Sequence, residues 1–295
     1  MNIREAIKTG MNMIKEKNIE DATLKSKMIM ENVLGQNRQY IIANDLNQLD
    51  YEQEKEYFFE IEKLLENNPI EYITNKKEFM NLELYVNQDV LIPRQDTEIL
   101  VEEVINIFQN IKAENIQILD MCTGSGAIAI ALAKNVEKCI VDAVDISSGA
   151  LEVVRKNVVK NQVEDKINII NSDLFSKVSN KKYDLIVSNP PYIERNVIEN
   201  LDKQVQKEPI IALDGGEDGL DFYKKIINEA SSYLESNGYL CFEIGYNQKN
   251  EVQNLLSNSG KYQNIYCKKD LCGNDRVVIA KKSERKEKWC LFRQN

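Results

Sequence analysis

The sequence contains no histidine. That absence removes the usual general base, the Ser-His and Cys-His nucleophile pairs and nearly every common catalytic zinc site. Long apolar runs are missing too: the longest, such as 127–133, fall well short of the ~20 residues of a membrane span. The opening Met1-Asn2-Ile3-Arg4-Glu5 brings in an acid early and leads into no apolar stretch with a small-residue cleavage site, which predicts a cytoplasmic protein without a secretory signal. The six cysteines, at 122, 139, 241, 267, 272 and 290, form no Cys-x-x-Cys pair and mostly sit in apolar segments, so reduced, structural thiols are expected and no metal site. Positive charge is also short, with 38 Lys and Arg against 47 Asp and Glu for a net charge of −9. Proteins that grip a phosphate backbone concentrate basic residues, so direct nucleic-acid binding is disfavoured.

What is present is ordinary globular material, 43% hydrophobic and 29% charged over 295 residues, a length that suits two domains each with its own core. Ile3, Ala6, Ile7 and Ile14 share one helical face, and Leu24, Met28 and Val33 continue the spacing after a cap at Asp21 and before a stop at Gly35. A further helix is predicted over 51–66, with Phe58, Ile61, Leu64 and Leu65 on its apolar side and Asp50 paired with Gln53 as a capping box. Phe79, Leu82, Leu84, Val86 and Val90, interleaved with polar residues, then predict an extended hairpin. The expected organisation is a helical domain over 1–75, a linking hairpin over 76–92, an α/β domain over 93–282, and a poorly ordered tail over 283–295 carrying Trp289, Leu291 and Phe292.

Within the α/β domain, strands are predicted over 116–120, 139–145, 167–171, 183–188, 238–245, 262–267 and 276–280, with helices over 127–134, 148–160 and 220–234. Such alternation predicts a mostly parallel sheet covered on both faces. Asp120-Met121-Cys122-Thr123-Gly124-Ser125-Gly126 follows the first of these strands and leads into a helix, a layout that turns backbone N–H groups toward a ligand. Gly124, Gly126 and Ala129 also satisfy the dinucleotide spacing, and Asp145 at the end of the next strand suits any ribose diol. Asp120 separates the two cofactors, because an acid there attracts the amino group of S-adenosyl-L-methionine (AdoMet) and repels a pyrophosphate; the bland alternative is a loop-stabilising acid. Asp173 and Leu174 either hold and cover an adenine or are a loop acid beside a core leucine.

Asn189-Pro190-Pro191-Tyr192 leaves the fourth strand at its carboxyl end, where open parallel sheets place ligands. Two prolines fix φ, supply no N–H and hold the preceding residues extended, so the carbonyls are rigidly aimed. A planar NH2 group is a poor nucleophile that has to be oriented, and two acceptors do this: the Asn189 side-chain oxygen and the Pro190 carbonyl take one hydrogen each. Tyr192 can stack on the planar group and exclude water. The plain alternative is a stiff loop terminator.

Together with 92–98, Ser172-Asp173, Glu208-Pro209, 212–216 and Glu243-Ile244-Gly245, these motifs resemble the peptide chain release factor N5-glutamine methyltransferases, the PrmC or HemK family. The resemblance implies a seven-stranded class I AdoMet-dependent methyltransferase fold of Rossmann-like type, AdoMet as donor, and the glutamine of a release-factor Gly-Gly-Gln loop as acceptor. It also implies that the N-terminal helices help grip the release factor. By the family pattern Asp120, the loop Cys122, Thr123, Gly124, Ser125 and Gly126, Asp145, Asp173, Leu174 and Asn189 bind AdoMet. Asn189, Pro190, Pro191 and Tyr192 hold the glutamine amide, with Asn189, Pro190 and Tyr192 catalytic. Members commonly carry glycine where Cys122 stands, and a side chain there limits the backbone. Pro93 to Glu98 is read either as a wall of the substrate pocket or as supplying a cap, Asp96 or Thr97, to the next helix. Residues 214–219 are a glycine-hinged lid or a permissive turn, with the lid favoured. The competing functions are an adenine or guanine amino-methyltransferase, which shares the clamp, and a non-catalytic release-factor binding module that keeps AdoMet as a structural ligand.

Overall fold

The computed structural model describes residues 1–109 and 115–284; the expected tail beyond 284, Trp289, Leu291 and Phe292 included, lies outside the described residues. Five helices come first: α1 (Ile3–Glu16), α2 (Ala22–Leu34), α3 (Arg38–Ala43), α4 (Tyr51–Leu65) and α5 (Ile70–Thr74). Capping boxes set two of their starts, Asn2 with Glu5 at α1 and the expected Asp50 with Gln53 at α4. The short α3 and α5 were not foreseen.

Two expectations for α2 are corrected. Asp21 precedes it with a left-handed φ of 54° and makes no side-chain cap bond. The buried face is Ala22, Ser26, Ile29 and Met30, while Leu24 is 42% exposed. Ser26 can point inward because its hydroxyl bonds the Ile7 carbonyl at 2.8 Å and the Tyr57 hydroxyl at 2.7 Å. Gly10 of α1 lies against that same Tyr57: a methyl group at position 10 would collide with its hydroxyl and sit 3.1 Å from Ile61 Cδ1. Gly10→Ala therefore pits about 1 kcal/mol of helix propensity against 1–3 kcal/mol of overpacking. We expect a net loss of about 1 kcal/mol in urea unfolding, where an exposed helical glycine would show a gain.

The hairpin is β1 (Lys77–Phe79) paired antiparallel with β2 (Leu82–Leu84), and it buries Phe79 and Leu84. After α6 (Asp96–Gln109) come β3 (Ile116–Met121), α7 (Ala127–Asn135), β4 (Cys139–Asp145), α8 (Ser148–Lys160), β5 (Ile167–Asn171), β6 (Tyr183–Ser188), α9 (Asp221–Tyr233), β7 (Leu234–Glu243), α10 (Lys249–Asn258), β8 (Tyr262–Lys269) and β9 (Asp275–Lys282). The strands form one seven-stranded sheet in the order β5-β4-β3-β6-β7-β9-β8, parallel from β5 through β7, with β9 antiparallel to both its neighbours. The pleat alternates between two cores: Ile118 packs on the face of α6, α7 and α8, and Leu119 on the face of α9 and α10. β7 begins at Leu234, four residues earlier than the expected 238.

Chain progression runs outward from β3 to β5 on one side and from β6 to β7 on the other, so the switch point lies between β3 and β6. In an open α/β sheet the crevice at the carboxyl ends there receives the ligand. Asn157, fully buried on α8, ties that crevice to the hairpin: its amide bonds both backbone groups of Tyr85 and donates to the Ser125 carbonyl at 2.9 Å.

Candidate active site

At the switch point the carboxyl ends of β3, β4, β5 and β6 surround one cavity. Its lining includes Cys122, Thr123, Gly124 and Ser125 after β3, Asp145 at the end of β4, Asp173 and Leu174 after β5, and Asn189 and Pro191 after β6. Residues far apart in sequence thus meet as expected. The loop is tightly turned, with φ of 62° at Cys122, 56° at Gly124 and 80° at Gly126. Cys122 bears a left-handed conformation that glycine adopts without strain and a side chain does not, a cost of about 1–2 kcal/mol. The non-glycine Leu174 has φ of 46° and holds its side chain between the cavity and the core of α9 and α10.

Four expected site residues are absent from that lining: Asp120, Gly126, Pro190 and Tyr192. Asp120 lies outside the lining and supports the loop from beneath. It is fully buried, and its Oδ2 accepts from the Thr123 hydroxyl at 2.5 Å and the Ala129 N–H at 3.1 Å, while Oδ1 has no partner among the described residues. The pleat that turns Leu119 into one core carries the Asp120 side chain under the loop. Burial lifts its pKa to about 7 against the pull of those two donors. Asp145 reaches the wall itself, its oxygens accepting from Gly124 N–H and Ser147 N–H at 2.9 Å each. Burial raises its pKa as well. Each oxygen keeps a lone pair for a further donor.

The clamp is braced from behind. The Asn189 Nδ2 donates to Thr97 Oγ1 at 3.3 Å, and the Tyr192 hydroxyl donates to Glu243 Oε1 at 3.2 Å. Gln248 donates to the carbonyls of Tyr192 at 2.9 Å and Gly219 at 3.2 Å. Residues 214–219 pack as a strut on the clamp: Gly215 N–H donates to the Ile193 carbonyl at 2.8 Å, and a side chain at 215 would come within 2.7 Å of Tyr192 Cα. Neither reading of Asp96 or Thr97 as a cap holds. Asp96 pairs with Arg276 at 3.1 Å, and Thr97, inside α6, lines the cavity with Pro93. That wall is anchored by Glu208, which takes Arg94 at 2.6 Å and the Ile92 N–H at 3.2 Å.

Sequence reasoning missed Ile211, Phe222 and Lys225, which also line the cavity, and gave Ala212, quoted only within the 212–216 motif, no place in the site. It also missed Gln248 and Asn157. Asn157 left a visible trace, as an amide on the apolar face of Val153, Val154 and Val158.

Comparison with known proteins agrees with this geometry. Residues 95–208 match the family model of the methyltransferase small domain, and residues 5–74 match the PrmC N-terminal domain. A release factor glutamine methyltransferase from Clostridium acetobutylicum is 40% identical over 285 residues, 95% of this chain and 98% of its relative. The protein of the same name from Clostridium botulinum is 38% identical, over 96% of this chain and all of its own length. Among solved structures, the catalytic domain of hMettl16 in complex with the MAT2A 3'UTR hairpin 6 superposes with a TM-score of 0.56 at 16% identity, over 70% of this chain and 77% of that one, and shares the fold. With that sheet order, that crevice and near full-length identity at this level, the chain belongs to the release factor glutamine methyltransferase family.

Proposed function

We propose that this chain transfers a methyl group from AdoMet to the side-chain amide nitrogen, N5, of the glutamine in the Gly-Gly-Gln motif of peptide chain release factors. The observation that carries the reading is that Asn189 opens on the same cavity as the loop 122–125 and Asp145, with its NH2 already taken by Thr97 and its oxygen left for a substrate donor. The polar groups of the cavity suit AdoMet. Asp145 offers acceptor capacity to a ribose diol, and Asp173 with Leu174 supplies a carboxylate and an aliphatic cover for an adenine. The Oδ1 of Asp120, without a partner among the described residues, lies beneath the loop, where a nearby cation offsets its burial and a pyrophosphate does not.

Bound AdoMet supplies an electrophilic methyl on a sulfonium. In this reading Asn189 Oδ1 and the Pro190 carbonyl, the latter outside the cavity lining itself, accept one hydrogen each from the glutamine carboxamide, which fixes the plane of the group and enriches the nitrogen. Tyr192 and Pro191 keep water from the reacting face. As the new N–C bond forms the S–CH3 bond breaks, its electron pair staying with the sulfur of the departing S-adenosyl-L-homocysteine; the nitrogen becomes acidic and sheds one proton to solvent, so a chain without histidine needs no strong base. The N-terminal helices are assigned to gripping the release factor, with the boundary to the hairpin near residue 75. Incubation with AdoMet and a bacterial release factor is expected to add 14 Da (one CH2, about 14 by mass) to the Gly-Gly-Gln peptide. An unmodified peptide from a folded, AdoMet-binding enzyme refutes the proposal. Tight, salt-sensitive binding to DNA or RNA would favour the nucleic-acid alternative.

A further inference from the structure

One wall of the cavity is built from irregular chain. Asp89, Val90, Leu91 and Pro93 line it from the stretch 85–95, which belongs to no helix or strand. Such a backbone keeps its course only where other groups bind its polar atoms. Side chains from elsewhere do so at two points here. The Tyr72 hydroxyl donates to the Val90 carbonyl at 2.6 Å, and Glu208 accepts from the Ile92 N–H at 3.2 Å.

Tyr72 comes from the helical domain. It stands on α5, whose Ile70 and Ile73 pack into the core of α1 to α4, while Tyr72 itself packs against a separate small cluster of Val86, Val90, Ala150 and Val153. Two members of that cluster, Val90 and Ala150, also line the cavity. Tyr72 thus meets the wall from behind, its ring by packing and its hydroxyl by a bond whose direction is fixed, because a carbonyl only accepts. Burial pushes the phenol's pKa well up, so it keeps its hydrogen.

Taking AdoMet as the occupant of this cavity, we propose that Tyr72 is a positioning residue for the cofactor: its hydroxyl holds the Val90 carbonyl, and through it the 89–93 wall, in the shape that receives AdoMet. Tyr72 is absent from the lining and acts only through that wall. The helical domain is on this account part of the cofactor site. Without the bond the wall samples other courses, and the apparent affinity falls with the fraction of protein that keeps the fitting one.

The test compares Tyr72→Phe, which keeps the ring in its cluster and removes only the hydroxyl, with Tyr57→Phe. Tyr57 lies in the helical core and its hydroxyl bonds Ser26 Oγ at 2.7 Å, so its loss weakens the same domain without reaching the cavity. Calorimetry with AdoMet is expected to give a Kd raised about 3–10-fold in Tyr72→Phe and within about 1.5-fold of wild type in Tyr57→Phe. At saturating AdoMet, kcat on a release factor stays within about twofold in both. In ¹⁵N spectra of the ligand-free proteins the Leu91 amide, which shares a peptide plane with the Val90 carbonyl, shifts in Tyr72→Phe and not in Tyr57→Phe. Equal weakening in both variants would reduce Tyr72 to a contributor to domain stability and overturn the proposal. An unchanged Kd or an unmoved Leu91 resonance in Tyr72→Phe would overturn it as well. Wild-type protein that binds no AdoMet refutes the cofactor reading and the proposal with it, whereas wild-type protein that binds AdoMet no more tightly than Tyr72→Phe refutes the proposal alone.

Discussion

Asn189→Ala is expected to lower kcat for glutamine methylation by about 10²–10³-fold while leaving AdoMet affinity within about threefold of wild type. The size follows from the scarcity of substitutes. Around Asn189 the lining offers Pro191, which has no side-chain acceptor, and Thr97, whose hydroxyl oxygen already accepts from Asn189. Removing the side-chain oxygen leaves the substrate amide with one acceptor, free to rotate about its remaining bond. AdoMet would lose little, because its expected partners other than Asn189 stand on the ends of β3, β4 and β5. Asn189→Asp is expected to fare no better, for it gives up the NH2 that meets Thr97 Oγ1 and adds a negative charge to the wall. Stopped-time mass spectrometry gives kcat, and calorimetry gives the affinity. Equal losses in both would make Asn189 chiefly a cofactor contact.

The regular parts of this protein were legible because their signals are local. The strands β4, β5 and β6 and the helix α8 have the limits their apolar periodicity predicts, and the two prolines at 190 and 191 announce an aimed backbone wherever they sit. Features that depend on a partner far along the chain were not legible. The orientation of α2 turned on Ser26 meeting Tyr57, 31 residues on. The residues 214–219 looked like hinges because glycine permits motion, yet here glycine permits close approach to Tyr192. Gln248 and Glu208 brace the site across 56 and 116 residues of sequence, through side chain to backbone bonds that no window contains. Asp120 is the instructive case: a strand-ending acid before a glycine loop reads as a ligand, but the alternation of β3 decides which side of the loop it occupies.

That position carries the second large effect. Between pH 5 and pH 8 the stability difference between Asp120→Asn and wild type is expected to move by about 3 kcal/mol in favour of the variant. The Asp120 pKa lies at about 7 in the folded protein, raised from 3.8 first by burial and further by neighbouring Asp145, against the lowering donors Thr123 and Ala129. In the unfolded chain the group ionises near 4. Between these values the folded protein holds a proton that the unfolded chain has released. The stability tied to that proton is complete below about pH 4 and is lost as pH rises through 7. Asparagine has the same shape, can accept from Thr123 and Ala129, and does not titrate. Its NH2 falls where Oδ1 lacks a partner, so the variant starts roughly 1 kcal/mol below wild type at pH 5 and overtakes it by pH 8. Urea midpoints of both proteins at the two pH values measure the crossing, and parallel pH profiles would show that Asp120 is ionised throughout. On the proposed function, a cationic donor above the loop would favour the charged form of Asp120 and offset that cost at neutral pH. AdoMet affinity should then rise with pH through 7 in wild type and stay flat in Asp120→Asn.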